Sequence, residues 1–315
     1  MKTKSIQVTI SVLLLTGFFY FIDTNEIFSV ISYSDKWSFF LACILSFCGN
    51  AACAFRWTKI LNCDSKMKFW KAIKAYFESI SFSTVVPAGM LGGDLYRSVR
   101  LSTQNSSGEL VSKLKPSKEV MLSVFADRVH GLWALCLLAV LTIFYSIMFK
   151  RNIFFANILY LEQSTFVLLY FLLLFIVVLV PFLNFKIKIF FSKSTSGLAA
   201  VNLLLIRSKK KITVFASILS QVFFAVSFFL CLKATNVNIS VSQCLIIVPI
   251  IFLSAAVPLS LAGFGPREYS SAVFLSFLGY GLENSVASSI LFGLTITLQG
   301  IGFLLINLIF PYKDR

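Results

Sequence analysis

Six apolar stretches of 18 residues or more, with no glycine-rich break, carry no charged side chain: 5–22, 37–55, 131–149, 164–182, 212–232 and 286–310. About 18–20 such residues cover the hydrocarbon layer of a bilayer. Inside lipid no water satisfies backbone N–H and C=O groups, so runs of this kind must close their hydrogen bonds within a helix. The sequence therefore predicts an all-α polytopic membrane protein with about six full spans. With 58% hydrophobic and only 13% charged residues, residues 1–315 read as one membrane domain, with no segment polar and long enough to be a soluble catalytic unit. The first run follows Lys2 and Lys4 and has the look of a signal peptide. It lacks a clear small-residue cleavage site and reads as a retained span.

Charge sets the expected orientation. Arg56, Lys59, Lys66, Lys68, Lys71 and Lys74 follow the second span with only Asp64 opposing, and residues 183–211 hold seven basic residues and no acid. Both segments should be cytoplasmic by the positive-inside bias. Residues 23–36 carry Asp23, Glu26 and Asp35 and read as extracytoplasmic, with Trp37 and Trp57 near opposite interfaces of the second span. Residues 118–130 read as an amphipathic approach to the third span, and Lys150–Arg151 beyond it locally break the bias. The net charge of +15 is spread over these short loops. That distribution argues against a nucleic-acid partner and leaves anionic lipid headgroups as the charged surface at hand. The location implied is a cell (inner or plasma) membrane, with both termini cytoplasmic.

Two further apolar stretches are interrupted. Residues 82–97 read FSTVVPAGMLGGDLYR and residues 253–268 read LSAAVPLSLAGFGPRE. Aligned on Pro87 and Pro258, 171 residues apart, Ser83 matches Ser254, Val86 matches Val257 and Gly92 matches Gly263. Each is an apolar run, a proline, a glycine-rich break and then charge, as where a membrane helix stops and hands over to a half-helix. If residues 69–86 crossed the bilayer, Arg97, Arg100, Lys113, Lys115 and Lys118 would fall outside. Residues 69–101 are thus expected to form a re-entrant hairpin from the cytoplasm, with 102–117 a polar cytoplasmic loop. Residues 241–257, the break at 258–266 and the return at 267–281 are expected to form a second hairpin from outside. Two halves, about 1–150 and 151–315, would then be repeats of inverted topology.

The charged residues at the breaks are candidates for substrate binding. Asp94 and Arg97 lie three apart and share a helix face, behind Gly92–Gly93, which permits close backbone approach. Gly265–Pro266 suits a helix start, so Arg267 and Glu268 would open a half-helix whose free N–H groups favour an anion. A phosphate or carboxylate also suits the planar fork of Arg267. Asp127 and Arg128 are adjacent and point to different sides of a helix, so a direct pair between them is not expected. Interfacial anchoring and substrate binding are both left open for them, and Pro87, Pro258 and Gly263 at the breaks join the substrate-binding candidates. Glu78 is left between neutralising Arg97 or a neighbour and sitting at an interface. His130, the only histidine, and the seven cysteines read as packing residues. No nucleophile–base pair or metal-ligand spacing appears, so no catalytic residue, metal or other cofactor is expected.

At Pro87…Gly92–Gly93–Asp94-x-x-Arg97, Asp127–Arg128-x-x-Gly131 and Pro258…Gly263-x-Gly265-x-Arg267–Glu268 the chain resembles the membrane region of lysylphosphatidylglycerol synthases, a flippase-like family that also occurs without a synthase domain. The resemblance covers nearly the whole chain and implies movement of lipid between leaflets. Aminoacyl transfer belongs in that family to a soluble domain with no counterpart here, which argues against a synthase. The leading expectation is a translocase for an anionic or modified lipid or a lipid-linked envelope precursor. A membrane-embedded transferase using Asp94 or Glu268 as acid or base, and an accessory scaffold in envelope synthesis, are the alternatives. A homodimer and envelope-synthesis partners are left open.

Overall fold

The computed structural model describes residues 24–61, 66–85, 89–103, 118–145, 211–256 and 265–309. The first and fourth expected spans, the segment 183–210, Pro87, Pro258 and Gly263 lie outside the described residues. Among the described residues there are nine helices and no strand. They are α1 Thr24–Ser32, α2 Lys36–Ile60, α3 Lys66–Val85, α4 Gly89–Thr103, α5 Lys118–Tyr145, α6 Lys211–Ala234, α7 Val241–Ala256, α8 Pro266–Ser276 and α9 Leu282–Ile309. Four segments are long and apolar enough to cross a bilayer: α2, Val120–Thr142 within α5, α6 and α9. The protein is a multi-pass membrane protein. At 15, 16 and 11 residues, α4, α7 and α8 fall short of a full crossing.

Three boundaries differ from the sequence expectation. Residues 23–36 are not simply a connection, because α1 forms there and packs Ile27 against Ala272, Val286 and Ala287. Helix α2 runs on to Ile60, so Arg56 belongs to the helix rather than to the loop after it, and Trp57 is fully buried in the protein. Residues 118–130 are not a separate approach. They are continuous with the third span as α5. No Pro or Gly lies between Lys118 and His130 to break the helix, and Asp127 is buried among protein partners.

The centre is the pair α2 and α6, the most extensive helix contact of the described fold. Small residues allow it, as expected where lipid offers no hydrophobic drive for association. A Cβ on Gly49 would lie 2.7 Å from the Phe224 ring, and the Ser227 hydroxyl donates to the Ala42 carbonyl at 2.8 Å. Phe228, Cys231 and Leu232 continue this seam into Ile247, Val248 and Ile251 of α7 and Leu291 and Phe292 of α9. A second core gathers Trp57, Ala72, Ala75, Leu101, Val120 and Val124.

The two interrupted pairs pack on either side of this centre. Helix α3 lies against α4 and also against α9, while α7 lies against α8 and also against α5. Gly93 is what lets α4 approach α3. A Cβ there would clash with Ser83 Oγ and stand 2.7 Å from the Ser79 carbonyl. Gly300 does the same for α9, where Thr84 occupies the space a Cβ would need. Polar side chains join α2 to α9 deep in the bundle. Asn50 donates to Gln299 at 2.8 Å, Gln299 to Ser46 at 2.9 Å, and Thr295 to Ser46 at 3.0 Å. The N-terminus of α2 is capped by Asp35. Its carboxylate accepts from the Ser38 hydroxyl and from the Ser38 and Trp37 amides, which hold its pKa below the usual carboxylate value.

Candidate functional site

Two buried charged clusters form, one beside each interrupted pair. The first is an alternating chain of five side chains from three helices. Arg56 on α2 donates through Nε to Asp127 Oδ1 on α5 at 2.7 Å. Arg97 on α4 donates to Asp127 Oδ2 at 3.2 Å and reaches Asp94 Oδ1 at 2.9 Å. Arg128 on α5 closes the chain, donating from Nε and Nη2 to the two Asp94 oxygens at 2.8 and 3.0 Å. Adjacent residues Asp127 and Arg128 thus serve different partners, as their helix geometry requires. Exposure rises along the chain, from 2% for the Arg97 side chain and 4% for Arg56 and Asp127 to 45% for Arg128.

Aromatic rings complete the burial. The Arg97 guanidinium lies 4.7 Å from the Trp57 ring centroid and 5.2 Å from that of Tyr76, a geometry in which ring quadrupoles stabilise a desolvated cation. Trp57 is itself held by Nε1–H donation to Ser123 Oγ at 3.1 Å. Gly131, the last residue of the Asp127–Arg128-x-x-Gly motif, lies beside Arg56, in ordinary contact range. A Cβ there would sit 3.6 Å from Arg56 Nη2. Its carbonyl accepts from Gln221 of α6 at 3.2 Å, and Arg56 Nη1 reaches Ser217 Oγ at 3.4 Å. Among the described residues Arg97 Nε and His130 Nδ1 are buried and find no hydrogen-bond partner. Glu78 pairs with Arg100 at 3.3 Å and Lys74 at 3.6 Å, not with Arg97.

The second cluster opens α8. Gly265 adopts φ +104°, a conformation that favours glycine, and Pro266 follows at the first helical position. The N-terminus is not vacant for an outside anion, as the sequence alone implied. Glu268 folds back into it. Its Oε2 accepts from the Gly265 amide at 2.6 Å. Its Oε1 accepts from Arg267 Nη2 at 2.6 Å and from Ser289 Oγ of α9 at 3.1 Å. Arg267 Nε donates to Ser289 Oγ at 3.0 Å, and the guanidinium lies 5.5 Å from the Phe292 ring centroid. Arg267 and Glu268 are both buried.

The family model described as "Lysylphosphatidylglycerol synthase TM region" matches residues 5–301. The chain belongs to this family. Lysylphosphatidylglycerol synthase TM regions form a membrane-domain family linked to lipid modification and translocation. No curated protein matches the chain. In this family member, Asp94, Arg97, Asp127 and Arg128 come together in one cluster and Gly265, Arg267 and Glu268 in the other, while Gly92 and Gly93 are buried and Gly93 lies at the α3–α4 contact. The sequence reading missed Arg56, Trp57, Tyr76 and Ser289. Arg56 was hidden by its place at the end of an apolar run. A polar spacing of three to four does mark Ser46, Asn50, Ser217, Ser220, Ser285, Ser288 and Ser289 as one-sided polar stripes on their helices. Among the described residues no three His, Cys, Asp or Glu side chains gather as a metal site.

Proposed function

We propose that the protein is a translocase that moves an anionic or modified lipid, or a lipid-linked envelope precursor, between the leaflets of the inner or plasma membrane. The observation that carries this reading is the pair of buried charged clusters, each centred on the return helix of a Pro/Gly-interrupted pair. Charge at membrane depth costs at least about 2.5–3.5 kcal/mol per residue on insertion scales and marks substrate or ion pathways.

An inverted repeat is part of the proposal, and packing supports it. Exchange α2 with α6, α3 with α7, α4 with α8 and α5 with α9. The contacts α3–α4, α3–α9, α8–α9, α6–α9, α5–α6 and α2–α3 become α7–α8, α7–α5, α4–α5, α2–α5, α9–α2 and α6–α7, all of which are made. The offset of 171 that aligns Pro87 with Pro258 also aligns Ser46 with Ser217 and Asn50 with Gln221. Each of these four polar side chains reaches the other half: Ser46 and Asn50 reach α9, Ser217 reaches Arg56, and Gln221 reaches α5. Under this reading α3–α4 and α7–α8 are re-entrant hairpins that enter from opposite faces.

The test is reconstitution into vesicles with labelled anionic lipid, read as transfer between leaflets, with mass spectrometry of the total lipid alongside. Arg267→Ala should abolish transfer, Arg267→Lys should leave it impaired because the planar fork is lost, and Asp94→Asn should impair it. Transfer at the parental rate by a folded Arg267→Ala would refute the paired-cluster mechanism. Appearance of a new lipid species would favour a transferase.

A further inference from the structure

We propose that the first cluster binds, at Arg128, the phosphodiester of a lipid with one net negative charge, and that Asp94 gives up Arg128 to that phosphate and closes on Arg97. This inference rests on the translocase reading and names the class of lipid that the cluster accepts.

The cluster is short of acceptors. Among the described residues it joins three guanidinium groups to two carboxylates. Glu78, the only other acid on α3 and α4, is engaged by Arg100, Lys74 and the Tyr96 hydroxyl. Asp94 shows the shortage directly. Its two oxygens accept from Arg128 Nε and Nη2 at 2.8 and 3.0 Å, while Arg97 reaches only Oδ1, through Nη2 at 2.9 Å. Nε and Nη2 form one edge of a guanidinium and can grip both oxygens of a carboxylate. On Arg97 that edge is half used. Its Nε is buried and unpartnered, on a side chain only 2% exposed. Asp94 thus gives its full fork to the exposed cation and half to the buried one. A counter-charge stabilises the buried cation more, because water screens the exposed one.

An outside anion at Arg128 removes the conflict. The Arg128 side chain is 45% exposed, the most of any in the cluster, so a ligand meets it first. With phosphate on the Arg128 fork, rotation of the Asp94 side chain brings its second oxygen to Arg97 Nε. Asp94 and Arg97 lie three residues apart on α4, so no helix has to move. Three guanidinium groups then face two carboxylates and one phosphate, and the charges balance. The surroundings of Arg128 say what carries the phosphate. Met121, Phe125 and Leu132 share its face of α5 by helix spacing, and all three are exposed, as is Leu95 on α4. A cation set among exposed apolar side chains suits a phosphate that brings acyl chains with it.

The experiment is calorimetric titration of the full-length protein in an uncharged maltoside detergent at neutral pH. The probes are dioctanoyl phosphatidylglycerol, dioctanoyl phosphatidylcholine and inorganic phosphate. Phosphatidylglycerol should bind about tenfold or more tighter than phosphatidylcholine, whose choline cancels the charge, and than inorganic phosphate, which lacks chains. Arg128→Gln should weaken phosphatidylglycerol binding by about tenfold or more. Asp94→Asn should bind it about tenfold tighter than the parent, because the internal competitor is gone. A residue that simply held the lipid would show the opposite sign. In the parent, the Arg97 Nε–H proton resonance should move downfield as phosphatidylglycerol binds and Asp94 closes on it.

No binding of phosphatidylglycerol by the parent overturns the proposal, and so does equal binding of either other probe. Parental affinity in Arg128→Gln overturns it too. Unchanged or weaker binding in Asp94→Asn overturns the exchange. If that variant fails to fold, an unmoved Arg97 resonance in the lipid-bound parent does the same. Vesicle transfer separates the two ideas. Binding as described without transfer leaves the site and sinks the translocase. Transfer at the parental rate by Arg128→Gln leaves the translocase and sinks the site.

Discussion

Asp127→Asn is the most informative single change to the first cluster. The native carboxylate accepts from Arg56 at 2.7 Å and from Arg97 at 3.2 Å, and all three side chains are at most 4% exposed. An asparagine keeps the shape but removes the charge, and its amide nitrogen must face one of two guanidinium groups. Arg56 is then left without a counter-charge away from water, and Arg97 keeps only Asp94, which it shares with Arg128. Breaking a buried pair in this way costs about 3–5 kcal/mol. At roughly 2 °C per kcal/mol for a chain of this size, the solubilised protein should lose about 5–10 °C of thermal midpoint. The assay is thermal loss of the monodisperse peak in size-exclusion chromatography. Arg128→Gln is the comparison, because 45% exposure of the Arg128 side chain leaves it partly screened, and its loss should cost about 1 kcal/mol or less. An Asp127→Asn protein that melts within about 2 °C of the parent, or later than Arg128→Gln, would show that this network does not tie α2, α4 and α5 together.

Three further outcomes are expected. Gly93→Ala should destabilise the α3–α4 contact, because its Cβ meets Ser83 Oγ and the Ser79 carbonyl, while Gly302→Ala, with nothing within 4 Å, should be neutral in the same melt. Single cysteines at exposed Trp70 and at Ala200, in a cysteine-free background, should resist an outside-only reagent in intact cells, and labelling of either would overturn the proposed orientation. Asp35 has a lowered folded pKa, so its cap is fully formed above the usual carboxylate range and is lost as pH falls through that folded value. Hydrogen exchange at the Ser38 amide should therefore accelerate at acid pH, and should be fast at every pH in Asp35→Ala.

The sequence by itself determined that this chain is a helical membrane protein. Charge-free runs of spanning length admit no other fold in lipid, and that argument needs no partner residues. It also marked both interruptions, since Pro and Gly act on the local backbone, and Pro266 does open α8 behind a positive-φ Gly265. The pairing of Asp94 with Arg97 was legible for the same reason, being a matter of helix spacing. Tertiary structure alone decided the rest. The role of Asp127 and Arg128 stayed open because neither has a partner on its own helix. Their counter-charges come from α2 and α4, more than 25 residues away in sequence. Arg56 looked like a loop residue for the same reason. Glu268 shows the limit most directly. Its spacing from Gly265 allowed a capping box, but only the approach of Ser289 on α9 completes the cradle around it. Local backbone chemistry is written in neighbouring residues, whereas a buried charge is stabilised by whichever helix the fold brings against it.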